Sequence, residues 1–325
     1  MFSIKKISEI SQTDNATGFG TNRSWYGGRL VQKNGMPNIE KRGSNFLERY
    51  SLYHTFLLLP SWKFLGILLT SYIIINLFFA GLYFLIGTEH LQGIVGESSF
   101  ERFTECFFFS TQTFTTLGYG RISPVGFMAS SLATFEAFLG LLNFALATGL
   151  FYGRFSRPRA FLKFSHNAII SPYKGSIALM LRMAPFKNNS LSNVEVKLTL
   201  AMAVEENGKK VNKFFPLELE LNKVNTLNLS WTIVHPLEEK SPLFGMSMDD
   251  LFSCNAEIMV FVEAFDDLFS NTVLARTSYI GSEIIRGAKF AAMYHQSGTG
   301  DKTVLEMDKL NELIPVDIGD AFPEK

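Results

Sequence analysis

Apolar residues fall into two regimes along the chain, and the change comes near residue 164. Before it, two long runs contain almost no charge. Trp62–Gly87 is apolar apart from Lys63 at its edge and a few small or amide residues, and Val125–Tyr152 holds one ionisable residue, Glu136, and one amide, Asn143. At 1.5 Å per residue each run exceeds roughly 35 Å as a helix, enough to cross a bilayer with some tilt. A third apolar run, Phe103–Phe114, lies between them and is too short to span. It follows Ser98-Ser99-Phe100-Glu101, which predicts a capping box and a helix start. A short capped helix between two spans predicts a re-entrant segment. Irregular backbone at membrane depth is tolerated only where protein covers it or it lines an aqueous cavity.

After residue 164 the period becomes two. Val194, Val196, Leu198, Leu200, Met202 and Val204 alternate with polar or small residues, and Asn207-Gly208 then predicts a hairpin turn. Phe215, Leu217, Leu219 and Leu221 alternate again, as do Leu227, Leu229, Trp231 and Ile233, while Ala256–Phe265 is a nearly continuous apolar strand. Short strands separated by turns predict a β-sandwich. The region after Tyr294 is polar, with Gly298 and Gly300, and leads into an amphipathic piece through Leu313.

Charge sets the orientation. Residues 1–60 carry Lys5, Lys6, Arg23, Arg29, Lys33, Lys41, Arg42 and Arg49, and Arg154, Arg157, Arg159 and Lys163 follow the second run. The intervening loop has only Arg102 and Arg121. The positive-inside rule therefore puts both termini in the cytoplasm. The chain's 30 basic and 30 acidic residues balance, which gives no electrostatic footprint for nucleic acid. Its 32 Phe concentrate before residue 165, as suits helices packed in lipid. Cys106 and Cys254 have no metal or redox spacing and read as packing residues. His54, His90, His166, His235 and His295 are scattered without ligand spacing, and no phosphate-binding loop or catalytic constellation occurs, so no enzyme and no organic cofactor is expected. No secretory signal peptide is visible, because the first apolar run begins near Phe56.

The short helix runs into Thr113-Phe114-Thr115-Thr116-Leu117-Gly118-Tyr119-Gly120, whose Thr116-x-Gly118-Tyr119-Gly120 core is the potassium-channel signature. Successive carbonyls repeated around a four-fold axis can replace the water shell of K+. Gly118 and Gly120 permit the required backbone angles. The Thr116 hydroxyl can add an inner oxygen ring, and Tyr119 is expected to brace the filter from behind. One chain supplies a quarter of such a ring, so a homotetramer with K+ ions held at Thr116–Gly120 is implied.

Over about residues 45–320 the chain resembles the inward-rectifier potassium channels, especially their prokaryotic branch. The residues that carry the resemblance are Leu52-Tyr53-His54-Thr55 with Pro60-Ser61-Trp62, Phe107-Phe108-Phe109-Ser110, Arg154-Phe155-Ser156-Arg157-Pro158-Arg159-Ala160, Trp231–Pro236, Ser241-Pro242-Leu243, Ala275–Tyr279 and Ser282-Glu283-Ile284. The resemblance implies a membrane α-helical fold, two transmembrane helices plus a re-entrant pore helix, with a C-terminal cytoplasmic immunoglobulin-like β-sandwich. The expected organisation is a cytoplasmic tail at 1–45, an interfacial helix at 46–60, a pore domain at 61–156 and the sandwich at 157–325. Within the pore domain the expected parts are spans at 62–87 and 125–152, a pore helix at 99–113 and the filter at 116–120. The location implied is the bacterial inner (plasma) membrane.

The resemblance also assigns roles. Tyr152 aligns with the helix-bundle gate, with Phe151 left to face lipid; an interfacial belt position fits Tyr152 as well. Gly140 is a hinge or a close-packing contact. Gln112 stands where bacterial members commonly carry an acid, Arg121 where they carry Asp, and Phe144 where strong rectifiers carry an acid in the second span. Weak block by polyamines is therefore expected. Arg121 either places positive charge at the outer mouth or folds onto Glu101 or Glu105. Glu136 either bonds behind the filter, to Gln112, or faces a neighbouring helix in protonated or water-bound form. Arg49, Lys63, Arg154, Arg157 and Arg159 are expected at the inner membrane surface, where phosphoinositide or another anionic lipid would bind. The loop near Val273–Ala275 aligns with a second constriction.

Overall fold

The computed structural model describes residues 18–19, 28–40, 42–43, 51–187, 190–206 and 209–319. Lys5, Lys6, Arg23, Lys41, Arg49 and the Asn207-Gly208 turn lie outside the described residues. The described chain divides into two compact units: residues 51–157 with 42–43, and residues 28–40 and 158–319 with 18–19.

The first unit is helical. α1 is Leu52–Leu58 and α2 is Ser61–Ile86, which starts directly after Pro60. The strand β1, Leu91–Gln92, precedes α3, Ser99–Phe114. The predicted capping box is present: the Ser98 side chain accepts from the Glu101 amide, and the Glu101 carboxylate accepts from the Ser98 amide. β2, Ser123–Pro124, pairs antiparallel with β1 and ties the C-terminal end of α2 to the segment that follows Gly120. The last helix, α4, covers Phe127–Phe155. It starts later than Val125 because that residue's amide is used by the His90 carbonyl, and it runs beyond Tyr152 until Ser156 and Pro158 stop it.

α2 and α4 have 26 and 29 residues, and both are long and apolar enough to cross a membrane. Core helices of a soluble protein would bury such side chains. Here Leu69, Phe78, Leu141, Phe144 and Leu146 are all more than half exposed, as a lipid or subunit-facing surface requires. The helices bury a seam near the C-terminal half of α2. Phe79, Ala80 and Tyr83 of α2 pack with Cys106 and Phe109 of α3 and Ala133 of α4.

The second unit is the β-sandwich. One sheet has the order β11-β10-β6-β7 and the other β12-β4-β5-β3. The strands are β3 (Leu162–Phe164), β4 (Ala168–Tyr173), β5 (Ser176–Pro185), β6 (Leu191–Glu206), β7 (Lys209–Leu217), β8 (Lys223–Thr226), β9 (Trp231–Pro236), β10 (Glu257–Asp266), β11 (Asn271–Ile280) and β12 (Ile284–Arg286). β8 joins β6 beside β7, and β9 joins β5. Alternate residues of β6, β10 and β5 fill the space between the sheets: Val194, Val196, Leu198 and Leu200 meet Ile258, Val260 and Val262 and the facing Leu179, Leu181 and Met183. Cys254 is buried in the same core, and burial pushes its thiol up to about 11, which suits a packing role.

Several expectations are corrected. β7 ends at Leu217; Leu219 beyond it still packs against the core, but Leu221 is exposed and Leu229 lies in a bend before β9. β10 alternates in burial because Phe261, Glu263 and Phe265 face away from the core. Val273–Ala275 lie within β11, paired with Ala264, Glu263 and Val262, and not in a loop. The amphipathic piece before Leu313 is a single 3-10 turn, Met307–Asn311. It lies between two small ribbons, β14 (Tyr294–Gln296) with β15 (Thr303–Leu305), and β13 (Ala288–Phe290) with β16 (Leu313–Pro315).

Candidate functional site

The end of α3 sets the course of the next five residues. The Gln112 carbonyl accepts from the amides of Leu117 at 2.9 Å and Gly118 at 3.4 Å, and the Thr113 carbonyl accepts from Thr116 at 3.0 Å. φ is positive at Thr116 (58°), Gly118 (55°) and Gly120 (81°), whereas Leu117 and Tyr119 keep the ordinary sign. In an extended chain successive carbonyls point to opposite sides. Reversing the handedness at every second residue cancels that alternation and turns the carbonyls to one side, the arrangement a row of cation sites needs. The glycines were legible as residues that allow this. Thr116 was not: a β-branched residue at φ 58° is uncommon, and such backbone is enriched at functional sites.

Behind α3 the expected bond from Glu136 to Gln112 is absent. Glu136 is fully buried and bonds instead to Tyr83 of α2, whose hydroxyl donates at 2.6 Å, and to Ser110 of α3. Ser110 Oγ also lies 3.1 Å from Asn76 Oδ1, and Asn76 Nδ2 donates to the Tyr72 carbonyl at 2.8 Å. Of the two readings of Glu136, the one that faces neighbouring helices matches this geometry. Asn76, Tyr83 and Ser110 were missed. The available signal was a polar group in each apolar run, since such groups turn toward protein partners.

Just beyond Gly120, Arg121 folds onto Glu105 at 2.9 Å. Glu101 is occupied by its capping box. Glu105 also accepts from the Val95 and Gly96 amides at 2.8 and 3.3 Å, so one carboxylate organises both the loop before α3 and the segment after Gly120.

At the other end of α4, Tyr152 is 74% exposed in a single chain. Phe151 packs edge-on against Phe64 of α2, centroids 5.2 Å apart, and is not free to face lipid. Arg154 donates to the Phe56 carbonyl at 3.1 Å and to Ser61 Oγ at 3.2 Å, and its guanidinium lies 5.1 Å over the Phe64 ring. Lys63 lies over the exposed Trp62 at 5.3 Å. Arg157 is half-buried and Arg159 exposed. Gly140 faces the end of α3, where a Cβ would stand 1.9 Å from the Phe114 carbonyl oxygen. The close-packing reading of Gly140 fits this contact.

In the β-domain a segment read as tail is held in place. The buried Glu257 carboxylate accepts from the Leu30 and Val31 amides at 2.6 and 2.9 Å. Arg29 and Lys33 pair with Glu283 at 3.0 and 3.2 Å, and Ser278 donates to the Val31 carbonyl. Burial alone would raise the Glu283 carboxyl, but the bonds from Arg29 and the Ile280 amide bring it below the usual carboxylate range. No cluster of His, Cys, Asp and Glu fit to hold a metal ion occurs among the described residues.

Comparison with known proteins adds the following. Residues 162–322 match the family described as inward rectifier potassium channel C-terminal domain, and residues 67–157 match the ion channel family. The inward rectifier potassium channel Kirbac3.1 of Paramagnetospirillum magnetotacticum is 32% identical over 88% of this chain and 95% of its own length. The inward rectifier potassium channel irk-1 of Caenorhabditis elegans is 24% identical over 89% of this chain and 57% of its length. The ATP-sensitive inward rectifier potassium channel 12 of Gallus gallus is 26% identical over 81% and 66%.

Proposed function

Since the chain belongs to the inward rectifier potassium channel family, we propose that four copies form a K+-selective pore whose filter is Thr116–Gly120. The observation that supports this best is the alternating backbone handedness at Thr116, Gly118 and Gly120. Leu117 and Tyr119 are more than half exposed in one chain, and a Cβ built on Gly118 or Gly120 would meet nothing within 4 Å. That open surface suits neighbours around a four-fold axis. The C-terminal end of α3 brings partial negative charge to the cavity side of the filter, favouring a cation there.

In this reading the protein sits in a bacterial plasma membrane with both termini in the cytoplasm, as the distribution of Lys and Arg favours. Exposed Tyr152 closes the inner end of the pore when four copies converge. Gln112 shapes the filter through its carbonyl, and Arg121 acts as half of an ion pair. Among the described residues, Arg154 is engaged by α1 and α2, so Arg157, Arg159 and Lys63 are the basic side chains offered to an anionic lipid such as a phosphoinositide. With Phe144 where an acid would hold polyamines, block by cytoplasmic spermine is weak.

The test is ion flux into liposomes holding the purified protein, with rubidium or potassium set against sodium. Uptake of potassium or rubidium that sodium cannot replace is expected. Equal sodium uptake would overturn the selectivity assigned to Thr116–Gly120.

A further inference from the structure

The buried polar chain behind the pore helix can be counted proton by proton. Ser110 Oγ has a single hydrogen, yet it faces two oxygens, Asn76 Oδ1 at 3.1 Å and Glu136 Oε1. The Asn76 amide cannot be turned to make its nitrogen the partner of Ser110. Its Nδ2 already donates to the Tyr72 carbonyl at 2.8 Å, and a flip would set two oxygens against each other there. The Tyr83 hydroxyl has its own hydrogen directed to Glu136 Oε2 at 2.6 Å. With an ionised Glu136, the three contacts among these five oxygen atoms would have only two hydrogens, one too few. Ser110 would donate to the carboxylate, and Asn76 Oδ1 would face a bare lone pair. A proton placed on Oε2 fails too, because it would displace the Tyr83 hydrogen and leave Ser110 still short. A proton on Oε1 satisfies every contact: Glu136 donates to Ser110, Ser110 to Asn76, and Tyr83 to Glu136.

The surroundings favour the same form. Asn76, Ser110 and Glu136 are all fully buried, and no Lys, Arg or His pairs with Glu136 among the described residues. The titratable groups beside this network are Tyr72, Tyr83 and Cys106, none of which adds positive charge. An ionised carboxylate here would lie in the apolar depth of two spans with no counter-ion.

We infer that Glu136 is a neutral carboxylic acid in the folded channel and a positioning residue, donating its proton to Ser110 and so fastening the pore helix to both membrane-spanning helices. The inference rests on the membrane-pore reading of this site, but its readout does not require ion flow.

The experiment is infrared difference spectroscopy on the full chain reconstituted in lipid at neutral pH, wild type against Glu136→Gln, with thermal midpoints of wild type, Glu136→Gln and Glu136→Ala. Gln reproduces the neutral acid's pattern, its amide donating to Ser110 and its carbonyl accepting from Tyr83. The expected result is a protonated-carboxyl C=O band in wild type that vanishes in Glu136→Gln, with Gln keeping the midpoint far better than Ala. Should Glu136→Gln fail to assemble, Ser110→Ala carries the test. Loss of the acceptor should then move the same band to higher frequency. Carboxylate bands in place of the protonated band, or a Glu136→Gln midpoint as low as that of Ala, would overturn the inference. A channel that proved non-selective, with the protonated band intact, would count against the proposed function alone.

Discussion

The carbonyl oxygen of Phe114 occupies the place where Gly140 would carry a side chain: a Cβ there would lie 1.9 Å away. The last turn of α3 thus rests directly on the backbone of α4. Gly140→Ala must push α3 or α4 aside, and overpacking of this kind costs about 1–3 kcal/mol. Gly66 of α2 has nothing within 4 Å of its would-be Cβ. Replacing it with Ala should be neutral or stabilising by about 0.5–1 kcal/mol through helix propensity. Thermal midpoints of the detergent-solubilised protein check both. A Gly140→Ala protein of unchanged stability but altered gating would favour a hinge at that position.

The contrast between those two glycines marks what a sequence can and cannot disclose. Both interrupt an apolar run, and nothing local separates them; the difference is the neighbour, which is brought by the chain's return through α3. The helices, the capping box and the strand β6 were legible because period, length and cap chemistry are local. The alternating backbone of residues 116–120 was legible only at its glycines, since Thr116 gives no sign of its left-handed backbone. The partners of Glu136 and the docking of residues 29–33 were not legible, because Ser110, Tyr83, Glu257 and Glu283 become neighbours only after folding. Val273–Ala275 misled for a related reason: alignment with a constriction says nothing of whether the segment is loop or ladder.

Glu105 and Arg121 predict unequal effects from two halves of one ion pair. Arg121 is 59% exposed, and its removal should cost less than about 1 kcal/mol, as exposed pairs do. Glu105→Ala also strips the Val95 and Gly96 amides of their acceptor, and should cost about 1–3 kcal/mol. Midpoints and proteolysis of the loop at residues 93–98 report this. On the proposed four-copy pore, Glu105→Gln should lower single-channel conductance at low salt, because uncompensated Arg121 charges would repel cations at the mouth. Unchanged conductance would place Arg121 away from the ion path.

His235 ties two segments of the β-domain together and makes that domain sensitive to acid. Its Nδ1 lies 2.6 Å from the Glu218 carbonyl, which can only accept, so Nδ1 carries the hydrogen and Nε2 accepts from Ser241 at 2.8 Å. Ser241 in turn accepts from the Leu243 amide. Burial lowers the imidazole below its usual 6.5, partly opposed by the Glu218 bond. The unfolded chain therefore takes up the proton first. Stability should be flat above pH 6.5 and fall progressively below it, down to the folded value. Urea midpoints between pH 8 and 5 should show this slope in the full chain, and His235→Gln should flatten it. A slope unchanged by the substitution would assign the acid sensitivity elsewhere.

Arg154 and Arg157 stand three residues apart in a run that looks uniformly basic, yet the structure gives them different work. Arg154 holds the Phe56 carbonyl and Ser61 and covers the Phe64 ring, so it joins α1, α2 and the end of α4. A planar guanidinium that meets two acceptors and a ring face is poorly replaced by an ammonium. Arg154→Lys should therefore lower the midpoint, and Arg154→Gln should lower it further, by about 1–3 kcal/mol in all, in any lipid. Arg157→Gln should leave the midpoint near wild type and change how flux responds to anionic lipid, since each basic residue near such a surface contributes about 1 kcal/mol. The two readouts separate the roles: flux into liposomes with and without anionic lipid for one, thermal unfolding in neutral detergent for the other. If Arg157→Gln left the lipid response intact, the lipid contact would fall to Lys63 and Arg159, and if Arg154→Gln altered only the lipid response, its contacts with α1 and α2 would carry no stability.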